Sequence, residues 1–154
     1  MTNDLIKKIR LPLFGCRLSL FLVYLAWTWD KLFNAKHGAS IMNRHYSMEF
    51  VTESMVFALG FIELVFVLAF FFGFYKRITY GLLIVFCAIS TFGPKVTGGY
   101  MRYLDPSYTN LDSTSGLFAL QFLLQAFCML ICSIVMYVMR DYDTLYSFSK
   151  ADRA

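Results

Sequence analysis

Residues Ser54 to Tyr75 read SMVFALGFIELVFVLAFFFGFY and carry one charged side chain, that of Glu63. Because an α-helix rises 1.5 Å per residue, about 20 apolar residues are enough to cross the hydrocarbon core of a bilayer. The stretch therefore predicts a transmembrane helix. A carboxyl group in its interior costs roughly 2.5 to 3.5 kcal/mol on insertion scales, so Glu63 needs either a partner on another helix or a proton.

Three further windows on either side of this stretch are also long and apolar enough to form spans. They are Leu13 to Phe33, Ile78 to Val96 and Gly116 to Met139. The chain of 154 residues is 58% hydrophobic with a mean hydropathy of +0.58, outside the usual range of a soluble domain. We therefore predict an all-α fold in which residues 1–154 form one integral membrane domain, an antiparallel up-and-down bundle of four transmembrane helices.

The distribution of basic residues predicts the orientation of this bundle. Nine Lys and Arg residues lie on one predicted side: Lys7, Lys8, Arg10, Arg17, Lys76, Arg77, Arg140, Lys150 and Arg153. Five lie on the other side: Lys31, Lys36, Arg44, Lys95 and Arg102. Because basic residues accumulate on the cytoplasmic side, we predict that both termini are cytoplasmic and that the two links of about 20 residues each are external.

Other kinds of chemistry are disfavoured by the sequence. The net charge of +4 is spread between apolar windows, where lipid headgroups account for it, so no nucleic-acid partner is predicted. The four cysteines lie inside those windows and are expected to pack as small apolar residues. His37 and His45 lack a second ligand at metal-binding spacing, and no histidine lies in a span to ligate haem. No metal site and no catalytic residue is predicted.

A polar layer is expected at the depth of Glu63. If the four spans start level, Tyr24 to Thr28, Ser90 to Thr91 and Gln125 to Cys128 reach the same depth. On the last span, Gln121 and Gln125 share a helix face with Cys128 and Cys132. That stripe either ties helices together by hydrogen bonds or lines a ligand site. The predicted ligand-binding residues are Glu63, Arg17, Tyr24, Thr28, Gln121 and Gln125.

A second polar layer is expected near the external surface, where Asp30 and Lys31 end the first span and Lys95 ends the third. An ion pair between Asp30 and Lys95 is one prediction for this layer. The alternative is that each side chain extends separately to the headgroups. Arg17 lies near the cytoplasmic end of its span, where we expect it to neutralise a charge or a headgroup.

The spacing of these unusual residues resembles that of the DoxX-like family of small four-helix membrane proteins, which is related to DoxD- and MauE-type proteins. The matching positions are Arg17, Lys31, Leu32, Glu63, Leu64, Gly73 and Arg77. The resemblance covers roughly the first 90 residues, and Thr28 stands where the family usually has a glycine.

The resemblance implies a small accessory subunit in a bacterial inner membrane that docks on a larger membrane redox or assembly complex. It also implies quinone or lipid near Glu63 as the bound molecule, with no covalently attached cofactor. The chain lacks haem ligands, a redox-active thiol pair and a nucleotide motif, so we expect no catalytic activity of its own. The alternatives are a quinone-reactive oxidoreductase subunit, a small transporter and a membrane chaperone.

Overall fold

The computed structural model describes residues 3–46, 48–96 and 114–148, and all regular secondary structure in these ranges is helical. The five helices are α1 (Asn3–Phe33), α2 (Ala35–Tyr46), α3 (Glu53–Phe71), α4 (Lys76–Val96) and α5 (Thr114–Val138). The predicted all-α class is therefore confirmed for the described ranges.

Within the described residues, three helices are long and apolar enough to cross a membrane: Leu5–Phe33 within α1, Glu53–Phe71 and Lys76–Gly93. The chain is therefore a membrane protein. In α5, the segment Leu124–Val138 is apolar as well, although it is shorter than a span. The first span is longer than predicted, because α1 begins at Asn3 and continues through Pro12. The second is shorter, because α3 ends at Phe71 and not at Tyr75.

The first external link was predicted as a connection without a helix, whereas the structure has α2 there. Its apolar positions recur at helical spacing, with Ala35, Gly38, Met42 and Tyr46 on one face. Gly38 is buried, and a Cβ atom added to it would lie 2.7 Å from Cγ1 of Val56. The glycine therefore lets α2 lie directly on the first turns of α3.

The core lies between α1, α3, α4 and α5 and is closed by apolar side chains from each of them. Its buried members are Leu13, Leu20, Tyr24, Val67, Phe70, Tyr80, Leu83, Cys87 and Met136. The short link between α3 and α4 was predicted and is present; Gly73 in it has a positive φ of 67°, which glycine adopts without strain. Residues 139–148, here called the C-terminal strap, follow α5 and return across this link.

Candidate functional site

Glu63 forms an ion pair with Lys31, which joins the middle of α3 to the last turn of α1. The two side chains are 14% and 23% exposed, so the pair is partly open at the surface of the bundle. Gly60, one turn before Glu63, explains the close approach of the helices. A Cβ atom at Gly60 would lie 3.0 Å from Cβ of Lys31 and 3.2 Å from Cγ of Leu32.

The partner of Glu63 differs from those expected at its depth, which were Tyr24 to Thr28 on α1, Ser90 to Thr91 on α4 and Gln125 to Cys128 on α5. Lys31 was placed in the external layer, because the depth comparison assumed that all spans start level. The structure removes that assumption, since α1 begins at Asn3, well before the predicted start of the first span at Leu13. The long lysine side chain then carries its ammonium group back to the carboxylate.

Arg17 is completely buried and pairs with Asp143 of the C-terminal strap. Its Nη1 lies 2.9 Å from Oδ2 of Asp143, and both side chains are 0% exposed. The hydroxyl group of Tyr80 donates to the same Oδ2 at 2.5 Å. Arg17 was expected to neutralise a charge or a headgroup on the cytoplasmic side. In the structure, the charge that it neutralises is a carboxylate of its own chain.

Backbone carbonyl groups complete the surroundings of this second pair. Arg17 Nη2 donates to the carbonyl oxygen of Leu145 and, at 3.4 Å, to that of Tyr146. Lys76, which is also buried, donates to the carbonyl oxygen of Asp143. Arg17, Tyr80 and Lys76 thus each donate to a group of the strap. These contacts offset a burial cost that would be prohibitive for a lone arginine.

The C-terminal strap is held at its far end by aromatic and backbone contacts. The amide of Phe148 donates to the carbonyl oxygen of Phe72 at 3.0 Å. The ring of Phe148 stacks on that of Phe74 with centroids 5.3 Å apart, and Phe14 contacts Tyr146 at 5.2 Å. The strap was not predicted, because it lies after the last apolar window and has no pattern of its own. The signal that could have found it is the need of Arg17 for an acidic partner, together with Asp141 and Asp143 directly after the last window.

Tyr24 and Thr28 lie in the interior, as predicted, but they bind to the chain itself. The Tyr24 hydroxyl group is 3.0 Å from the sulfur of Cys87, which links α1 to α4. Thr28 donates to the carbonyl oxygen of Tyr24 at 2.8 Å, within α1. Thr91, on α4, donates to the carbonyl oxygen of Ala126 on α5 at 3.2 Å. The contact of Tyr24 with Cys87 and that of Thr91 with Ala126 therefore tie neighbouring helices together.

The remaining predicted residues are dispersed. Gln125 and Cys128 are exposed, so this part of the predicted stripe on α5 does not face the interior. The side chains of Gln121 and Lys95 lie outside the described residues, and the predicted contact of Lys95 with Asp30 stays a prediction. Asp30 itself contacts Nδ1 of His37 at 2.8 Å. Within the described ranges, no three His, Cys, Asp or Glu side chains are grouped as metal ligands would be.

The site is thus two ion pairs at different levels of the bundle, one enclosed and one partly open. Arg17 and Lys31 are 14 positions apart, which corresponds to about 21 Å along α1. This is less than the roughly 30 Å of the hydrocarbon core, so the two pairs cannot both lie outside it if α1 spans the membrane close to its normal.

Comparison with known protein families, curated proteins and solved structures finds no match to this chain.

Proposed function

We propose that this chain is a small accessory subunit of the DoxX-like type that docks on a larger redox or assembly complex of a bacterial inner membrane. In this proposal the subunit holds a quinone or lipid beside Glu63. The observation that supports it best is the partly exposed Lys31–Glu63 pair, which offers an ammonium donor and a carboxylate acceptor at the surface of a membrane bundle.

The contacts of the residues that carry the family resemblance support this assignment. Lys31 pairs with Glu63, and Leu32 lies against Gly60. Arg17 anchors the C-terminal strap, and Gly73 takes a positive φ in the link that the strap covers. Residues that are scattered in the sequence thus meet in two places, as expected if their spacing reflects a shared architecture.

The Arg17–Asp143 pair supports the proposed four-span topology. Arg17 lies in the first half of α1, whereas Asp143 follows α5, so both residues lie at the same end of the bundle. The chain must cross the membrane an even number of times between them. If α1, α3 and α4 each cross once, α5 supplies the fourth crossing. The excess of basic residues supports a cytoplasmic location for this end and for both termini.

An accessory role is favoured over catalysis by the way in which the chain neutralises its own charges. A quinone carbonyl or a lipid ester could accept a hydrogen bond from Lys31 while Glu63 keeps the ammonium group in place. The chain itself supplies no electron carrier among the groups identified above, so a redox step would take place in the larger complex.

The test is a Glu63→Gln variant, which keeps the shape of the side chain and removes its charge. We expect the variant to insert normally and to retain less quinone or lipid after purification in mild detergent. We also expect less of the larger complex to co-purify with it. Asp141→Asn is the matched control, since Asp141 is an exposed acidic residue that follows α5 and lies away from Glu63 in the chain. Normal assembly with lost quinone turnover would instead favour the quinone-reactive oxidoreductase subunit. Wild-type protein that yields neither partner nor bound molecule would contradict the proposal.

A further inference from the structure

Helix α2 lies across the end of the bundle at which α1 ends and α3 begins, and it contacts α1, α3 and α4 there. Gly38 fits closely on α3, because a Cβ atom added to it would lie 2.7 Å from Cγ1 of Val56. Tyr46, the last residue of α2, lies against Gly93 of α4, where an added Cβ atom would be 2.7 Å from Cε1 of the tyrosine ring. α2 is therefore held near its start and at its end by close contacts with two different helices.

The same helix lies against Lys31, the cationic member of the partly open pair. A Cβ atom added to Gly38 would lie 3.8 Å from Cγ of Lys31, and one added to Gly60 of α3 would lie 3.0 Å from its Cβ. The stem of the lysine thus passes between two glycines, one on α2 and one on α3, before its ammonium group reaches Glu63. On this side of the pair, the lysine is covered by the backbone of α2.

Exposed apolar side chains flank the pair on both spanning helices. Glu63 lies about 15 Å along α3 from its first residue, Glu53, within the segment that can span the membrane. One turn before Lys31 stands Trp27, and one turn before Glu63 stands Leu59, which are 41% and 45% exposed. Exposed apolar side chains of a spanning segment face lipid. A molecule dissolved in the bilayer can therefore approach the pair between α1 and α3 without passing α2.

We propose that α2 is a lid that closes the aqueous route to the Lys31–Glu63 pair and leaves the route from the bilayer open. This inference rests on the proposed function, since it takes the pair as the binding site. It narrows the ligand to a molecule that dissolves in the bilayer and carries an uncharged hydrogen-bond acceptor, such as a carbonyl oxygen, for the ammonium group of Lys31. An anionic ligand is disfavoured because the carboxylate of Glu63 would repel it. A water-soluble ligand would first have to displace α2.

The test compares the labelling of Glu63 from water and from lipid, using the full chain in lipid nanodiscs. One sample is treated with a water-soluble carbodiimide and another with a lipid-soluble one, and peptide mass spectrometry measures the modified fraction of each carboxylate. Glu53, an exposed residue of the same helix, is the internal reference. We expect the ratio of Glu63 to Glu53 modification to be at least about tenfold higher with the lipid-soluble reagent, because modification from water requires α2 to open. Equal ratios for the two reagents would overturn the lid.

Two variants weaken the contacts of α2 at different points along it. Gly38→Leu would place a side chain against Val56, and Tyr46→Ala would remove the ring that lies against Gly93. Each should raise the modification of Glu63 by the water-soluble reagent at least about threefold, because a weakened lid is open for a larger fraction of the time. Unchanged modification in both variants would overturn the lid.

Two controls separate the opening of the lid from other effects. Asn43→Ala, at an exposed position of α2, should leave the modification of Glu63 unchanged. Asp143, which is 0% exposed, should stay unmodified in both lid variants. Modification of Asp143 together with Glu63 would overturn the lid, because the gain would then come from unfolding of the bundle. The labelling requires no bound quinone or lipid, so a protein that retains neither would contradict the proposed function and leave the labelling ratios unchanged.

Discussion

The Arg17–Asp143 pair and the Lys31–Glu63 pair both join sequence-distant segments, but they differ in burial and in support. Arg17 and Asp143 are 0% exposed and are surrounded by Tyr80, Lys76 and two carbonyl groups. Lys31 and Glu63 remain 23% and 14% exposed. An enclosed pair carries a large penalty when one partner is removed, whereas a partly open pair can exchange its partner for water or a ligand. We therefore assign the enclosed pair to the fold and the open pair to binding.

The largest effect is expected for Arg17→Leu, which leaves the Asp143 carboxylate buried without its cation. We expect a loss of about 3 to 5 kcal/mol in the free energy of unfolding, measured by denaturant titration in mixed micelles. Asp143 Oδ1 and Arg17 Nε have no hydrogen-bond partner among the described residues, so the pair is not fully satisfied even when intact. The double variant Arg17→Met with Asp143→Leu should therefore recover most of the loss. A single variant as stable as the wild type would show that the strap does not hold the bundle.

Gly60→Ala tests whether close helix contact creates the open pair. The added Cβ atom would lie 3.0 Å from Cβ of Lys31, so α1 must move away from α3. Overpacking of this kind costs about 1 to 3 kcal/mol, partly offset by the better helix propensity of alanine, roughly 1 kcal/mol. We expect a net loss of about 1 kcal/mol in the same titration.

Gly15→Ala is the matched control for this change. It lies in α1 with no atom of another residue within 4 Å of its added Cβ, so alanine should stabilise the protein there by up to about 1 kcal/mol. If the two substitutions changed stability equally, the contact at Gly60 would not be the reason for the glycine.

Glu63→Gln should reduce the free energy of unfolding by only about 1 kcal/mol, because the amide oxygen still accepts from Lys31 and the pair is partly open. A hydrophobic carbodiimide distinguishes the two pairs by the accessibility of their carboxylates. It should modify Glu63 in the folded protein and leave Asp143 unmodified, which peptide mass spectrometry can measure. Equal modification of both carboxylates would remove the distinction between an enclosed and an open pair.

The helices that can span were predictable because a long apolar run has few other stable structures. α2 was not, since its 12 residues are too short for a span and its alternating polar and apolar faces lower the mean hydropathy. The contact between Lys31 and Glu63 was missed although both residues were selected, because it depends on the relative shift of two helices along their axes. Gly60 carries that information, but a glycine in an apolar run has several explanations.

The Arg17–Asp143 pair was harder to predict for a different reason. The two residues are separated by almost the whole chain, so their contact depends on how many times the chain crosses the membrane and on where the strap returns. Hydropathy predicts the number of crossings but not where the strap returns. What the sequence does provide is a requirement: a buried arginine needs an acidic partner at its own level. Counting such unpaired charges at each end of a bundle is therefore as informative as the apolar windows themselves.

The smallest effect is expected at the contact between His37 and Asp30, which is the third ion pair of the described residues. His37 is 54% exposed and Asp30 is 30% exposed, so solvent screens their interaction. We expect His37→Gln to change the free energy of unfolding by less than about 0.5 kcal/mol. A loss above about 1 kcal/mol would mean that the exposed contact at the junction of α1 and α2 contributes to the stability of the fold. Burial alone would then no longer distinguish the pairs that stabilise the fold from those that do not.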